Sequence, residues 1–139
     1  MIRVLVVDDS ATAREAISAM LKSDPDIQVI GEATDGLEAV RMAADLKPDA
    51  ITMDINMPWM NGYEATKQIM LQNPTPIIVV TTVNHQEMVH HGLDILLVGA
   101  LDIVQKPSSL SAQGFETIRT ELVTKVKAVA QIKLVKSNL

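Results

Sequence analysis

Ile2-Arg3-Val4-Leu5-Val6-Val7-Asp8-Asp9-Ser10 is the stretch on which the fold turns. An apolar, β-branched run ends abruptly on two adjacent acids. A continuous Val/Leu/Ile run of this kind suits a strand covered on both faces, as in a parallel sheet flanked by helices. The spacing then changes. Over 11–22, Ala13, Ala16, Ile17, Met20 and Leu21 fall on one side of a helix, and Asp24-Pro25-Asp26 breaks it.

The alternation continues to the end of the chain. Ile27 to Ile30 reads as a second strand, Asp35-Gly36 as a turn, and Leu37, Val40, Ala43 and Ala44 stripe a helix ended by Lys47-Pro48. Ala50 to Met53 is a third strand ending at Asp54. Residues 55–62, with Pro58 and Gly62, form a loop before a helix with Ala65, Ile69 and Met70 inward. Asn73-Pro74-Thr75-Pro76 stops that helix, and Ile77 to Val80 is a fourth strand running into Thr81. Residues 85–97 are patterned as a helix closed by Gly99, and Leu101 to Val104 as a short fifth strand. After Lys106-Pro107, a long helix spans about 113–132 with Phe115, Ile118, Leu122, Val126 and Val129 as its stripe. Five strand-then-helix units predict an α/β domain with a parallel sheet over residues 1–130. Residues 131–139 lose the stripe and read as a tail or the start of a linker.

Composition narrows the function. The 139 residues carry 12 Lys+Arg and 17 Asp+Glu, a net charge of −5, which disfavours nucleic acid or an anionic membrane as partner. There is no cysteine, so thiolate metal sites, iron–sulfur clusters and cysteine nucleophiles are excluded. Trp59, Tyr63 and Phe115 are the only aromatics, too few to stack single strands. No apolar run approaches the ~20 residues of a membrane helix. The start shows no signal-peptide pattern, from which a cytoplasmic location is expected.

The polar residues fall in telling places. Asp8 and Asp9 close strand one, Asp54 closes strand three, Thr81 closes strand four, and Lys106 lies just past strand five. Open parallel sheets bind ligands outside the carboxyl ends of their strands. Taken alone, each residue has a plain explanation: a turn, a cap, a solvated lysine. Together they place three carboxylates, a hydroxyl and an ammonium on one edge. Clustered carboxylates repel unless a cation sits among them. A hard divalent ion such as Mg²⁺, with Mn²⁺ as a substitute, suits oxygen donors. Metal, lysine and a nucleophilic carboxylate are the equipment of phosphoryl transfer.

These residues resemble a known family. Val4-Leu5-Val6-Val7-Asp8-Asp9-Ser10, Asp54-Ile55-Asn56-Met57-Pro58 with Asn61-Gly62, then Thr81, then Lys106-Pro107 are similar in order and spacing to the receiver domain of response regulators in two-component systems. The resemblance covers about residues 2–130. It implies a flavodoxin-like, doubly wound five-stranded sheet of order 2-1-3-4-5 with helices on both faces. It implies that Asp54 accepts a phosphoryl group from a histidine kinase or phosphotransfer protein. Asp8, Asp9, Asp54 and the backbone carbonyl of Asn56 would hold Mg²⁺. Lys106 would pair with the phosphoryl group, and Thr81 would turn its hydroxyl onto it. Asn56 and Val83 occupy positions that tune phosphoryl lifetime, and the Lys106–Pro107 bond is typically cis in this family. Phosphorylation would reshape the helix 4–strand 5–helix 5 face, which meets an output domain or downstream protein.

One position departs from the pattern. The family usually has an aromatic three residues before the lysine, where this chain has Ile103. A weaker or differently built switch is expected. Finer details, including Asp24-Pro25-Asp26-Ile27, Gly31-Glu32-Ala33, Asp35-Gly36-Leu37-Glu38-Ala39, Pro74-Thr75-Pro76-Ile77 and Lys106-Pro107-Ser108, resemble the receiver of chemotaxis protein-glutamate methylesterases. No hydrolase signature accompanies them, so the chain itself is not expected to be an enzyme. It reads as the receiver of a longer protein or as a stand-alone relay or phosphate sink. An aspartate-nucleophile phosphatase needs Asp-x-Asp where Asp8 and Asp9 are adjacent, and a flavin carrier needs a phosphate-cradling loop there.

Other residues read plainly. His85, His90 and His91 suit a solvated helix face. Trp59 is expected to pack over its loop or to meet a partner, and the methionines to fill the core. Lys125, Lys127, Lys133 and Lys136 are expected on the solvated side of the last helix.

Overall fold

The computed structural model describes residues 1–82, 93–106 and 111–134. Its elements are β1 (Ile2–Val7), α1 (Ala11–Lys22), β2 (Ile27–Ala33), α2 (Gly36–Leu46), β3 (Ala50–Met53), α3 (Gly62–Gln72), β4 (Ile77–Thr81), α4 (Leu93–Leu97), β5 (Asp102–Gln105) and α5 (Ala112–Val129). All strand pairs are parallel, and the sheet order is β2-β1-β3-β4-β5. The class and order expected from the sequence are therefore those observed.

Alternation along β1 explains why its run is continuously apolar. Val4 and Val6 face one core with Ile78, Val80 and Val104, closed by Ile17, Met20 and Leu21 of α1 and Leu122, Val123, Val126 and Val129 of α5. Leu5 and Val7 face the other, with Ile51, Met53, Ile77 and Val79, closed by Ala39 and Ala43 of α2, Ala65 and Ile69 of α3, and Ile95 of α4. Small residues on α2 and α3 let those helices lie close to the sheet. Helix starts are fixed by side-chain caps. Ser10, Asp35, Asn61 and Ser111 each accept a hydrogen bond from the amide three residues on, at 3.2, 2.8, 2.9 and 3.0 Å. Among the described residues, no helix is long and apolar enough to cross a membrane.

Several details differ from expectation. β2 runs on to Ala33 rather than stopping at Ile30, because the Asp8 amide donates to the Ala33 carbonyl at 3.0 Å. Its register slips between Val4 and Leu5 of β1, which skips Ile30. Asp35 is the α2 cap as well as a turn residue, and Leu37 is 55% exposed rather than inward. The buried face of α2 runs through Gly36, Ala39 and Ala43, about 100° round from Leu37. α3 begins at Gly62, inside the expected loop, and the polar residues Ser18 and Thr66 are buried beside the expected apolar stripes. Only the 93–97 part of the expected fourth helix lies among the described residues, and His85, His90 and His91 lie outside them. Lys125 and Lys127 do more than sit in solvent. Lys125 Nζ donates to Asp102, Glu121 and the Ile103 carbonyl at 3.0–3.1 Å. Lys127 pairs with Asp24 at 2.7 Å and Asp26 at 3.2 Å, tying α5 to the turn before β2. Lys133 is exposed as expected, and Lys136 lies outside the described residues.

This placement makes a sharp comparison. Leu21→Ala removes a fully buried side chain and is expected to cost about 2–5 kcal/mol. Leu37→Ala is expected to stay within about 0.5 kcal/mol of the wild type. Paired urea titrations check this, and equal losses would place Leu37 in the core.

Candidate functional site

The carboxyl ends of β1 and β3 set the site. Asp8 follows β1 directly and is fully buried, while Asp9 beside it is exposed. Each polar group of Asp8 has a partner. Its amide donates to the Ala33 carbonyl at 3.0 Å. Its Oδ1 accepts from the Ser10 amide at 2.9 Å, and its Oδ2 accepts from Lys106 Nζ. Its carbonyl accepts from Arg14 Nη1 at 2.8 Å. Asp54 follows β3, anchored by its amide to the Val7 carbonyl at 3.0 Å, and is 7% exposed. One carboxylate oxygen each of Asp8, Asp9 and Asp54 lie within 4.8 Å of one another. Lys106 Nζ stands 4.0 Å from Asp54 Oδ1 while it pairs with Asp8.

The loop after Asp54 is held at two points. The Gly62 amide donates to the Ile55 carbonyl at 2.8 Å, and the Gly36 amide to the Met60 carbonyl at 2.9 Å. Both glycines are there for space. A Cβ on Gly62 would stand 2.0 Å from the Asp54 carbonyl oxygen, and one on Gly36 2.2 Å from that of Met60. Asn56 lies exposed in this loop. Trp59 sits near its apex with φ of 67° and is 87% exposed, so it does not pack down over the loop. Opposite, the Lys106 amide donates to the Thr81 carbonyl at 2.8 Å, which fixes the lysine at the end of β4. Thr81 itself is fully buried. Ile103 is half-buried on β5 against the Leu5 core rather than beside the carboxylates. Val83 and Pro107 lie outside the described residues.

The electrostatics follow from burial. Loss of water pushes the Asp54 carboxyl up to about 7, Lys106 opposes, and Asp8 and Asp9 push further in the same direction. Three acids with a single lysine against two of them leave excess negative charge among oxygen donors. That donor set fits a hard divalent cation. The sequence reading found every acid here but missed Arg14 and its ion pair with Glu32, at 3.5 Å. A lone arginine on a helix's polar face carries no signal until β2 is placed beside it.

Comparison with known proteins agrees with this geometry. The family model described as response regulator receiver domain matches residues 4–113. A protein-glutamate methylesterase/protein-glutamine glutaminase of Anaeromyxobacter dehalogenans is 43% identical over 136 residues, 98% of this chain and 40% of that protein. The chain thus spans about two fifths of the length of that curated relative. The crystal structure of the response regulator domain of Thermotoga maritima CheB superposes with a TM-score of 0.87 at 42% identity, covering 96% of this chain and 98% of that one. The Borrelia burgdorferi CheX–CheY–BeF3–Mg complex gives 0.75 at 27% identity, covering 95% and 90%. Sheet order, acid cluster and sequence match converge, and the chain belongs to the response regulator receiver domain family of two-component signalling.

Proposed function

We propose that Asp54 accepts a phosphoryl group from a histidine kinase or phosphotransfer protein and thereby switches an output surface. The observation that carries this reading is the gathering of Asp8, Asp9 and Asp54 within 4.8 Å, with Lys106 facing Asp54. The three carboxylates and the Asn56 carbonyl would hold Mg²⁺, or Mn²⁺ in its place. The chemistry such an ion supplies when bound is positive charge against the carboxylates and the incoming phosphoryl oxygens.

The chain's own residues do the rest. An Asp54 carboxylate oxygen attacks phosphorus, the P–N bond of the phosphohistidine breaks, and the departing nitrogen takes up a proton from water. Lys106 meets the phosphoryl oxygens, and the hydrogen bond from its amide to the Thr81 carbonyl links that event to β4. Thr81 turns its hydroxyl to the added charge, and Asn56 and Val83 set how long the phosphoryl group lasts. The change passes to the face formed by α4, β5 and α5. Residues 1–130 act as the receiver, and 131–139 as a tail or the start of a linker, in keeping with α5 ending at Val129. The relatives' names point to a methylesterase as the output.

Incubation with Mg²⁺ and acetyl phosphate tests the reading by intact mass. One added phosphoryl group is expected, and none with a chelator present. Mass gain that persists in Asp54→Asn would move the acceptor elsewhere.

Ile103 makes a further prediction. It has no ring to swing, and Lys125 ties its carbonyl to α5 at 3.0 Å. Structures with and without beryllofluoride are expected to show a side-chain shift well short of a rotamer-sized aromatic swing. A large inward displacement would show that isoleucine transmits the switch as an aromatic does.

A further inference from the structure

We propose that Arg14 is a positioning residue for the cation site, locking the turn that carries Asp8 and Asp9. This rests on the reading of Asp8, Asp9 and Asp54 as cation ligands. Arg14 lies in the first turns of α1, with its side chain only 18% exposed. Its Nη1 donates to the Asp8 carbonyl at 2.8 Å, and its Nε faces Glu32 Oε1 of β2 at 3.5 Å. A planar guanidinium can hold a carbonyl and a carboxylate at once, which a lysine ammonium cannot do with the same geometry.

The other anchors of Asp8 show why this one matters. The hydrogen bond from its amide to the Ala33 carbonyl continues the sheet, and the one it accepts from the Ser10 amide is local to the turn. Its bond from Lys106 goes to its carboxylate, the same group that a metal would take. Among the described residues, Arg14 is the side chain that holds the backbone of Asp8 without a hydrogen bond to its carboxylate. Asp9 is exposed and takes its place from that turn. Fixing ligands through their backbone lowers the entropy lost when an ion binds, as outer contacts do at other metal sites.

Arg14 also repels a cation, so simple removal mixes two opposed effects. Arg14→Lys separates them by keeping the charge and losing the fork. Glu32→Gln is a second variant that releases the guanidinium from β2 at a partly exposed position. Arg3 is the control, because its guanidinium holds the carbonyls of Leu46 and Lys47 at 2.8 and 2.9 Å, at the other end of β1.

Mg²⁺ titration calorimetry on the full chain reads the effect, with melting temperature of the metal-free protein recorded beside it. Arg14→Lys is expected to weaken Mg²⁺ about tenfold. Glu32→Gln should weaken it in the same direction by less, and Arg3→Lys should leave it unchanged. An Arg14→Lys affinity indistinguishable from the wild type, or an equal loss in Arg3→Lys, overturns the proposal. A wild-type chain that binds no Mg²⁺ overturns instead the cation-site reading beneath it.

Discussion

Without divalent cation, Asp54→Asn is expected to melt well above the wild type at pH 8, while taking up no phosphoryl group. Asp54 is 7% exposed, and its charge is opposed by burial and by Asp8 and Asp9. Asparagine keeps the shape and can still accept from the Ile55 amide, a bond of 2.9 Å in the wild type. Lys106 retains Asp8. The pH dependence has a definite sign. Folding raises the Asp54 carboxyl from 3.8 to about 7, so the folded chain holds this proton more tightly than the unfolded one. That contribution to stability is complete below about 3.8 and is lost as pH climbs through about 7. The loss is on the order of a few kcal/mol. The gap between wild type and Asp54→Asn should therefore widen from pH 5 to pH 8 in chelator. Saturating Mg²⁺ should narrow it, because an ion that binds only the folded wild type stabilises it by mass action. Equal melting curves at pH 8 in chelator would mean that Lys106 already neutralises the site. Such a trade of stability for a nucleophile is common where a buried charge is needed for chemistry.

What was legible in the sequence follows from the physics of each signal. β1 was readable because a strand covered on both faces must be apolar at every position, and Val4 to Val7 obey that. Asp8, Asp54 and Lys106 were readable because strand ends in a parallel sheet share one edge, so chain position alone brings them together. Leu37 misled because one apolar residue at a helix start fits two adjacent stripes, and only packing on β1 and β2 shows which faces inward. Lys125 and Lys127 misled because, Glu121 apart, their acidic partners Asp102, Asp24 and Asp26 are more than 20 residues away in sequence. Arg14 was invisible because Glu32 becomes its neighbour only when β2 is laid beside β1.

Gly62→Ala should be as damaging to activity as any change outside the acids themselves. The added Cβ would stand 2.0 Å from the Asp54 carbonyl oxygen, and 2.9 Å from both its carbon and the Ile55 Cα. These are backbone atoms, which cannot rotate away as a side-chain end can. One response breaks the 2.8 Å bond from the Gly62 amide to Ile55 and moves the phosphoacceptor with it. The other pulls the first turn of α3 off its Asn61 cap. Overpacking of this kind costs about 1–3 kcal/mol, and rigid neighbours favour the upper end. Gly36→Ala presses on the same loop at Met60, with a Cβ 2.2 Å from that carbonyl oxygen, but six residues away from Asp54. The two variants should lose similar stability. Phosphoryl uptake from acetyl phosphate should fall at least about tenfold in Gly62→Ala and much less in Gly36→Ala, since a misplacement near 1 Å at a reacting group costs about that or more. Measured at a temperature where both are folded, equal uptake would show that the loop absorbs the clash without moving Asp54. Unequal uptake at equal stability would show that the glycine's role is to let α3 start against the phosphoacceptor's own backbone.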